Sequence, residues 1–285
     1  MRSGALRPES TATAALLAAL ALALSAAAAA TEPCLEFGGL QRCWLQAAPG
    51  AAAGVAPGSV PLLIDLHGLK SSNTQIQQYG LGTLYNDEGF FVAWPQGVGT
   101  VGVDSSWHAG KRCCGAALEE DVDDEGFLLA LIDTLLASNP ELDSRRVYFS
   151  GHSNGCIMSN TMALKHSHVV AAMGCFSGYS TVSPPGDYRP MHSIISQGTA
   201  DPLISYRLVE NYVEGGGLIT KSSLKEMNQC AATPETRDYG GGNKVDTYSC
   251  ISGVQVALVT LDGVRLHGTR RAWNCALISS AHQHF

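Results

Sequence analysis

Short, mainly apolar runs alternate along this chain with longer stretches whose apolar residues recur at helical spacing. Few folds accept that alternation. Residues 61–66, 90–94, 146–150, 193–196 and 254–261 read as strands buried on both faces. Between them, residues 75–88, 125–138, 154–166 and 205–214 carry the 3.6-residue period of helices. Parallel strands need crossover connections, and helices supply them. The expected architecture is therefore α/β, a single domain with a mostly parallel central sheet and helices on both faces. With 45% hydrophobic and 15% charged residues, a chain of 285 can fill such a core. That composition excludes a disordered acidic chain and a coiled coil.

Residues 1–30 stand apart. Arg2 and Arg7 precede an Ala/Leu run over residues 14–24, and small residues follow to Ala30. This order reads as a secretory signal cut near Ala30/Thr31, leaving the folded domain at 31–285. A membrane anchor is the competing reading, but Leu gives way to Ala too soon for a span of about 20 apolar residues. The expected protein is exported and has no membrane partner. Its net charge is −7, from 18 basic and 25 acidic side chains, and Lys/Arg clusters are missing. That balance argues against nucleic acid and for a neutral or weakly charged substrate.

Nine cysteines suit an oxidising compartment, where most should pair. Cys34 with Cys43, and Cys230 with Cys250, each flank a Gly-containing turn region and are the candidate disulfides. Cys113 and Cys114 are adjacent, so each is expected to look elsewhere, with Cys156 and Cys175 as candidates. Neither a C-x-x-C spacing nor a nearby His pair occurs, so no metal site is expected. The acidic run over residues 119–125 lacks the spaced ligands of a calcium loop. It fits the N-terminus of a helix, where the macrodipole favours negative charge.

In open α/β sheets, chemistry collects in the loops leaving the carboxyl ends of the strands. Here those loops hold His67-Gly68-Leu69, Gly151-His152-Ser153-Asn154-Gly155, Gly198-Thr199-Ala200-Asp201 and Asp262-Gly263, with His267 beyond. Gly151-x-Ser153-x-Gly155 between a strand and a helix is the nucleophile-elbow pattern: the serine stands on a sharp turn that flanking side chains would crowd. A serine hydroxyl needs a base to take its proton and a carboxylate to orient that base. Asp201, just past a strand, is the candidate acid, with Asp187 as fallback. His267 is the candidate base, with His282 and His284 of the tail as alternatives. His152 is expected to point away from the reaction. The backbone N–H groups of Leu69 and Asn154 are the candidate donors to the developing oxyanion.

These stretches resemble, in order and spacing, the secreted α/β-hydrolase esterases that include polyhydroxybutyrate depolymerases and feruloyl esterases. The resemblance rests on Leu66-His67-Gly68, Trp94-Pro95-Gln96-Gly97, Ser106-Trp107-His108-Ala109-Gly110 and Cys113-Cys114-Gly115. It continues through Val122-Asp123-Asp124-x-Gly126-Phe127, the elbow, Gly198-Thr199-Ala200-Asp201-Pro202 and the Cys230/Cys250 pair, and runs over residues 37–263. It implies an α/β-hydrolase fold and ester hydrolysis through an acyl-enzyme on Ser153, without metal or organic cofactor. The implied substrates are hydroxyalkanoate polyesters or oligoesters, or feruloylated polysaccharide; a monomer is expected. Trp107 and His67 are the candidates for touching substrate, with Trp94 and Tyr179 as further aromatics for an acyl pocket; support of the loop is the rival reading for His67. Residues 264–285 depart from the family: His267 falls one place later than the pattern, and the aromatic-Pro-Gly stretch after it is missing. That departure motivates a second reading, a binding protein on a hydrolase scaffold.

Overall fold

Strand β3 (Val60–Leu66) is buried at every position, as expected of a strand covered on both faces. Leu62, Ile64 and Leu66 join one apolar cluster and Leu63 joins another, because successive side chains leave a strand on opposite sides. The computed structural model describes residues 32–49, 56–78, 88–111, 113–180, 182–215 and 222–265. The expected signal over 1–30, the histidines His267, His282 and His284, and most of the helix expected over 75–88 lie outside those residues.

In chain order the strands are β1 (Cys34–Phe37), β2 (Leu40–Ala47), β3, β4 (Phe91–Pro95), β5 (Leu142–His152) and β6 (Val170–Phe176). They continue with β7 (His192–Gly198), β8 (Glu235–Gly240), β9 (Asn243–Ser249) and β10 (Gln255–Leu261). The helices are α1 (Asn73–Gln78), α2 (Ala116–Glu119), α3 (Asp124–Ser138), α4 (Asn154–Lys165), α5 (Tyr206–Glu214) and α6 (Leu224–Met227). All ten strands form one sheet in the order β1-β2-β4-β3-β5-β6-β7-β10-β9-β8. From β4 to β10 every pairing is parallel. An antiparallel hairpin closes each edge, β1/β2 on one side and β8/β9 on the other. The chain leaves β3 toward β4 on one side and leaves β5 toward β6 on the other, so the switch point lies at the carboxyl ends of β3 and β5.

The larger apolar cluster holds Phe127, Leu128, Leu131, Ile132 and Leu135 of α3, with Met158 and Met162 of α4 and Val209 and Val213 of α5. Each such side chain contributes about 1.5–3 kcal/mol on burial. Ile76 of α1 packs with Val92 and Trp94 in the cluster on the other face. Helix α3 starts where its acidic residues have structural work: Asp123 Oδ1 accepts from the Gly126 N–H at 2.8 Å as the N-cap. Asp124, fully buried, pairs at 2.6 Å with Arg42 of β2, which is 3% exposed. Its other oxygen accepts from the His108 N–H at 2.7 Å. The Arg42 guanidinium lies 3.9 Å from the centre of the Phe127 ring. Burial pushes the Asp124 carboxyl up, against the pull of the Arg42 charge.

Cys34 is bonded to Cys43, its register partner across the β1/β2 hairpin, and Cys230 to Cys250. The expectation for the middle four is overturned. Cys156 of α4 sits over Cys175 of β6, their Cα atoms 5.2 Å apart, and the two bond to each other. Cys113 and Cys114 likewise bond to each other rather than to distant partners. Among the described residues no helix is long and apolar enough to cross a membrane.

Candidate active site

The elbow lies where β5 ends and α4 begins. Ser153 holds φ 54° and ψ −118°, a conformation unfavourable for any residue with a Cβ. The turn persists because its surroundings fix it. The Ser153 N–H donates to the Phe176 carbonyl at 3.0 Å, and its own carbonyl accepts from Ile157 N–H at 3.0 Å. The two motif glycines are required by the approach of β3. A Cβ at Gly155 would sit 2.2 Å from the Leu66 carbonyl oxygen, and one at Gly151 2.7 Å from the Gly155 carbonyl. Ser153 itself remains half-buried, open to a reactant.

The loop after β3 is pressed against this turn. A Cβ on Gly68 would lie 3.2 Å from the His152 carbonyl oxygen and 3.4 Å from Ser153 Cβ. His67 Nε2 accepts from the Gly97 N–H at 2.9 Å, so the proton is on Nδ1, which donates to the Gly68 carbonyl at 2.8 Å. Ser71 N–H donates to the same carbonyl at 3.1 Å. Since the peptide unit is planar and trans, anchoring the Gly68 carbonyl from one side aims the Leu69 N–H the other way. Asn154 is the first residue of α4, so its N–H has no acceptor within the helix and stands at the positive end of the macrodipole. The Asn154 side chain clamps the Trp107 backbone, accepting from its N–H at 2.7 Å and donating to its carbonyl at 3.0 Å. The Trp107 indole N–H donates to the His67 carbonyl at 3.0 Å. Three loops are thereby tied into one unit.

That network corrects the substrate assignment of Trp107 and His67. Both are 0% exposed, and every polar atom of theirs named above is engaged with protein. Burial pushes the His67 imidazole down to about 4, so it stays neutral and structural. Trp94 is equally buried, within the core of the opposite face. His152 stacks on Phe176 with ring centres 5.8 Å apart.

Asp201 follows β7 and is 8% exposed. Its Oδ1 accepts from the N–H groups of Leu203 at 2.9 Å and Ile204 at 3.0 Å. Its Oδ2 accepts from Gln197 Nε2 at 3.1 Å and from the Ser177 hydroxyl. Asp187, by contrast, is exposed in a turn. Beyond β10 the chain packs back on the acid loop. Ala200 N–H donates to the Val264 carbonyl at 3.2 Å, and Thr199 Oγ1 bonds to Asp262 at 2.8 Å and Gly263 N–H at 2.9 Å.

Sequence reasoning missed Ser177, Gln197 and the side-chain role of Asn154. Ser177 follows β6, a strand that carries two Ala and a Gly and so lacks the bulky apolar run that marked the others. Among the described residues no group of three or more His, Cys, Asp or Glu could hold a metal ion.

A crossover sheet with a strained serine between strand and helix defines the class: a protein of the α/β-hydrolase fold. The family model described as Esterase PHB depolymerase matches residues 44–206, more than half of the chain, and the chain belongs to that family. It is similar to feruloyl esterase B of Piromyces equi, 30% identical over 222 residues, 72% of this chain and 39% of that protein. It is also similar to a bifunctional acetylxylan esterase/xylanase of Neocallimastix patriciarum, 29% identical over 58% of this chain and 22% of that protein. The chain thus spans well under half the length of these relatives. In fold it is similar to an acetyl xylan esterase from Aspergillus awamori, with a TM-score of 0.59 at 14% identity, covering 84% of this chain and 94% of that one.

Proposed function

We propose that this protein is an exported serine esterase, its signal at 1–30, that cleaves acyl esters on plant cell-wall polysaccharide through an acyl-enzyme. The strained backbone of Ser153, wedged between Gly68 and the start of α4, is the observation that carries the reading. His267 takes the hydroxyl proton as Ser153 attacks the acyl carbon, and Asp201 holds that imidazole in the productive tautomer. The negative charge forming on the carbonyl oxygen is met by the N–H groups of Leu69 and Asn154. Each such donor lowers the barrier by about 2.7–4 kcal/mol in comparable enzymes. His267 then returns its proton to the leaving alcohol, and water releases the acid by the same steps in reverse.

The two curated relatives, a feruloyl esterase and an acetylxylan esterase/xylanase, support hydroxycinnamoyl or acetyl esters of polysaccharide as substrates. The family description favours a second reading, hydroxyalkanoate polyester or oligoester. Methyl ferulate, acetylated xylan and hydroxybutyrate oligomers, offered to the full chain side by side, separate the two. Turnover of the first or second supports the leading reading, and turnover of the oligomers alone overturns it in favour of polyester. Ser153→Ala is expected to lower the rate by several orders of magnitude. A well-folded wild type that turns over none of them supports the scaffold-binding reading instead.

A further inference from the structure

We infer that Ser177 is a positioning residue for the acid of the triad, tying the carboxylate of Asp201 to the nucleophile elbow; this rests on the esterase reading above. Ser177 is fully buried and holds φ 58°, a left-handed conformation that a residue with a Cβ adopts only when its surroundings impose it. Its backbone N–H donates to the Ser196 carbonyl at 2.9 Å. The carbonyl just before it, that of Phe176, receives the Ser153 N–H at 3.0 Å. Its hydroxyl donates to Asp201 Oδ2.

The other donors to Asp201 come from its own neighbourhood. Leu203 and Ile204 belong to its turn, and Gln197 belongs to its strand and is itself held by a 2.8 Å bond to the Ile204 carbonyl. Leu203 and Ile204 move with the acid loop, and Gln197 with β7. Ser177 alone among the four comes from the residue directly after β6, the strand whose last residue also carries the bond to Ser153. Its hydroxyl is the link through which the carboxylate is referenced to the nucleophile rather than to its own loop. Losing it leaves Asp201 held by its own turn and by Gln197, so the carboxylate can shift relative to the elbow, and misplacements of about 1 Å cost roughly 10- to 100-fold in rate.

The test is hydrolysis of p-nitrophenyl acetate by the full chain and by S177A, S177G, D201N, S177A/D201N and S153A. Both Ser177 variants are expected to lose roughly 10- to 100-fold in kcat with KM unchanged. S177G matters because glycine takes a positive φ at no steric cost, so its loss reports the hydroxyl and not the turn. S177A/D201N is expected to be no slower than D201N, since a residue acting only through the carboxylate has nothing left to orient. Wild-type kcat in S177G, or a further loss in the double variant, overturns the inference while leaving the esterase reading intact. An S153A variant as fast as wild type overturns the esterase reading, and this inference with it.

Discussion

With its Nε2 receiving the Gly97 N–H and its Nδ1–H fixed on the Gly68 carbonyl, His67 sets a peptide rather than moving a proton. The sequence placed His67 at the right loop, but which face of the loop its ring takes depends on Gly97 and Trp107, 30 and 40 residues away. His67→Phe keeps an aromatic ring beside Trp107 and removes the ring's hydrogen bonds with Gly68, Gly97 and Gln96. Stability is expected to fall by about 1–3 kcal/mol, because the buried Gly97 N–H is left without an acceptor. Turnover is expected to fall further than folding explains, by up to about 10²–10³-fold, because the Leu69 N–H loses its aim. Urea unfolding and kcat on a p-nitrophenyl ester, measured on one preparation, read the two effects separately. The elbow was legible because its requirement is local: glycine at 151 and 155 around a serine. Ser177 was not, since a serine after an unrecognised strand carries no local mark.

Among the elements, five central strands announced themselves by short, mainly apolar runs, whereas β6 and the two hairpins did not. The stretch Val170–Phe176 dilutes its apolar residues with Ala and Gly, and Glu235–Gly240 is exposed at every position. Such strands are specified by their partners: β8 by the ladder to β9, β6 by parallel neighbours on both sides. The same holds for the acidic run at the head of α3, whose local reading as a helix start was sound but whose buried partner, Arg42, lies 82 residues earlier. Asp124→Asn leaves that guanidinium buried without its counter-charge. A loss of about 3–5 kcal/mol is expected in denaturant unfolding. The double variant Arg42→Met/Asp124→Leu should recover most of it, and recovery of none would mean that the pair does more than neutralise itself.

For the whole molecule, two buried groups beneath the active loops give stability opposing dependences on pH. Burial raises Asp65 from 3.8 to about 7, against the Ser150 hydrogen bond at 2.5 Å. Between those values the folded chain keeps a proton that the unfolded chain has released, so this group's contribution is lost as pH rises toward 7. His67, lowered from 6.5 to about 4, works the other way: its contribution is present above 6.5 and is lost as pH falls. The two largely offset one another between about pH 4 and 6.5. Asp65→Asn removes one arm, so its unfolding free energy should rise with pH relative to wild type across that window, by at most about 1.4 kcal/mol per pH unit. Parallel curves for the two proteins would show that Asp65 titrates normally.

The proposed function stands on Ser153 being an activated nucleophile, and a mechanism-based label tests that serine directly. The full chain is treated with diethyl p-nitrophenyl phosphate, weighed intact, and digested to locate the adduct. One diethylphosphoryl group on Ser153 is expected, formed with stoichiometric p-nitrophenol release and absent from Ser153→Ala. A folded protein that takes no label, or takes it on another residue, contradicts the assignment of Ser153 as the nucleophile.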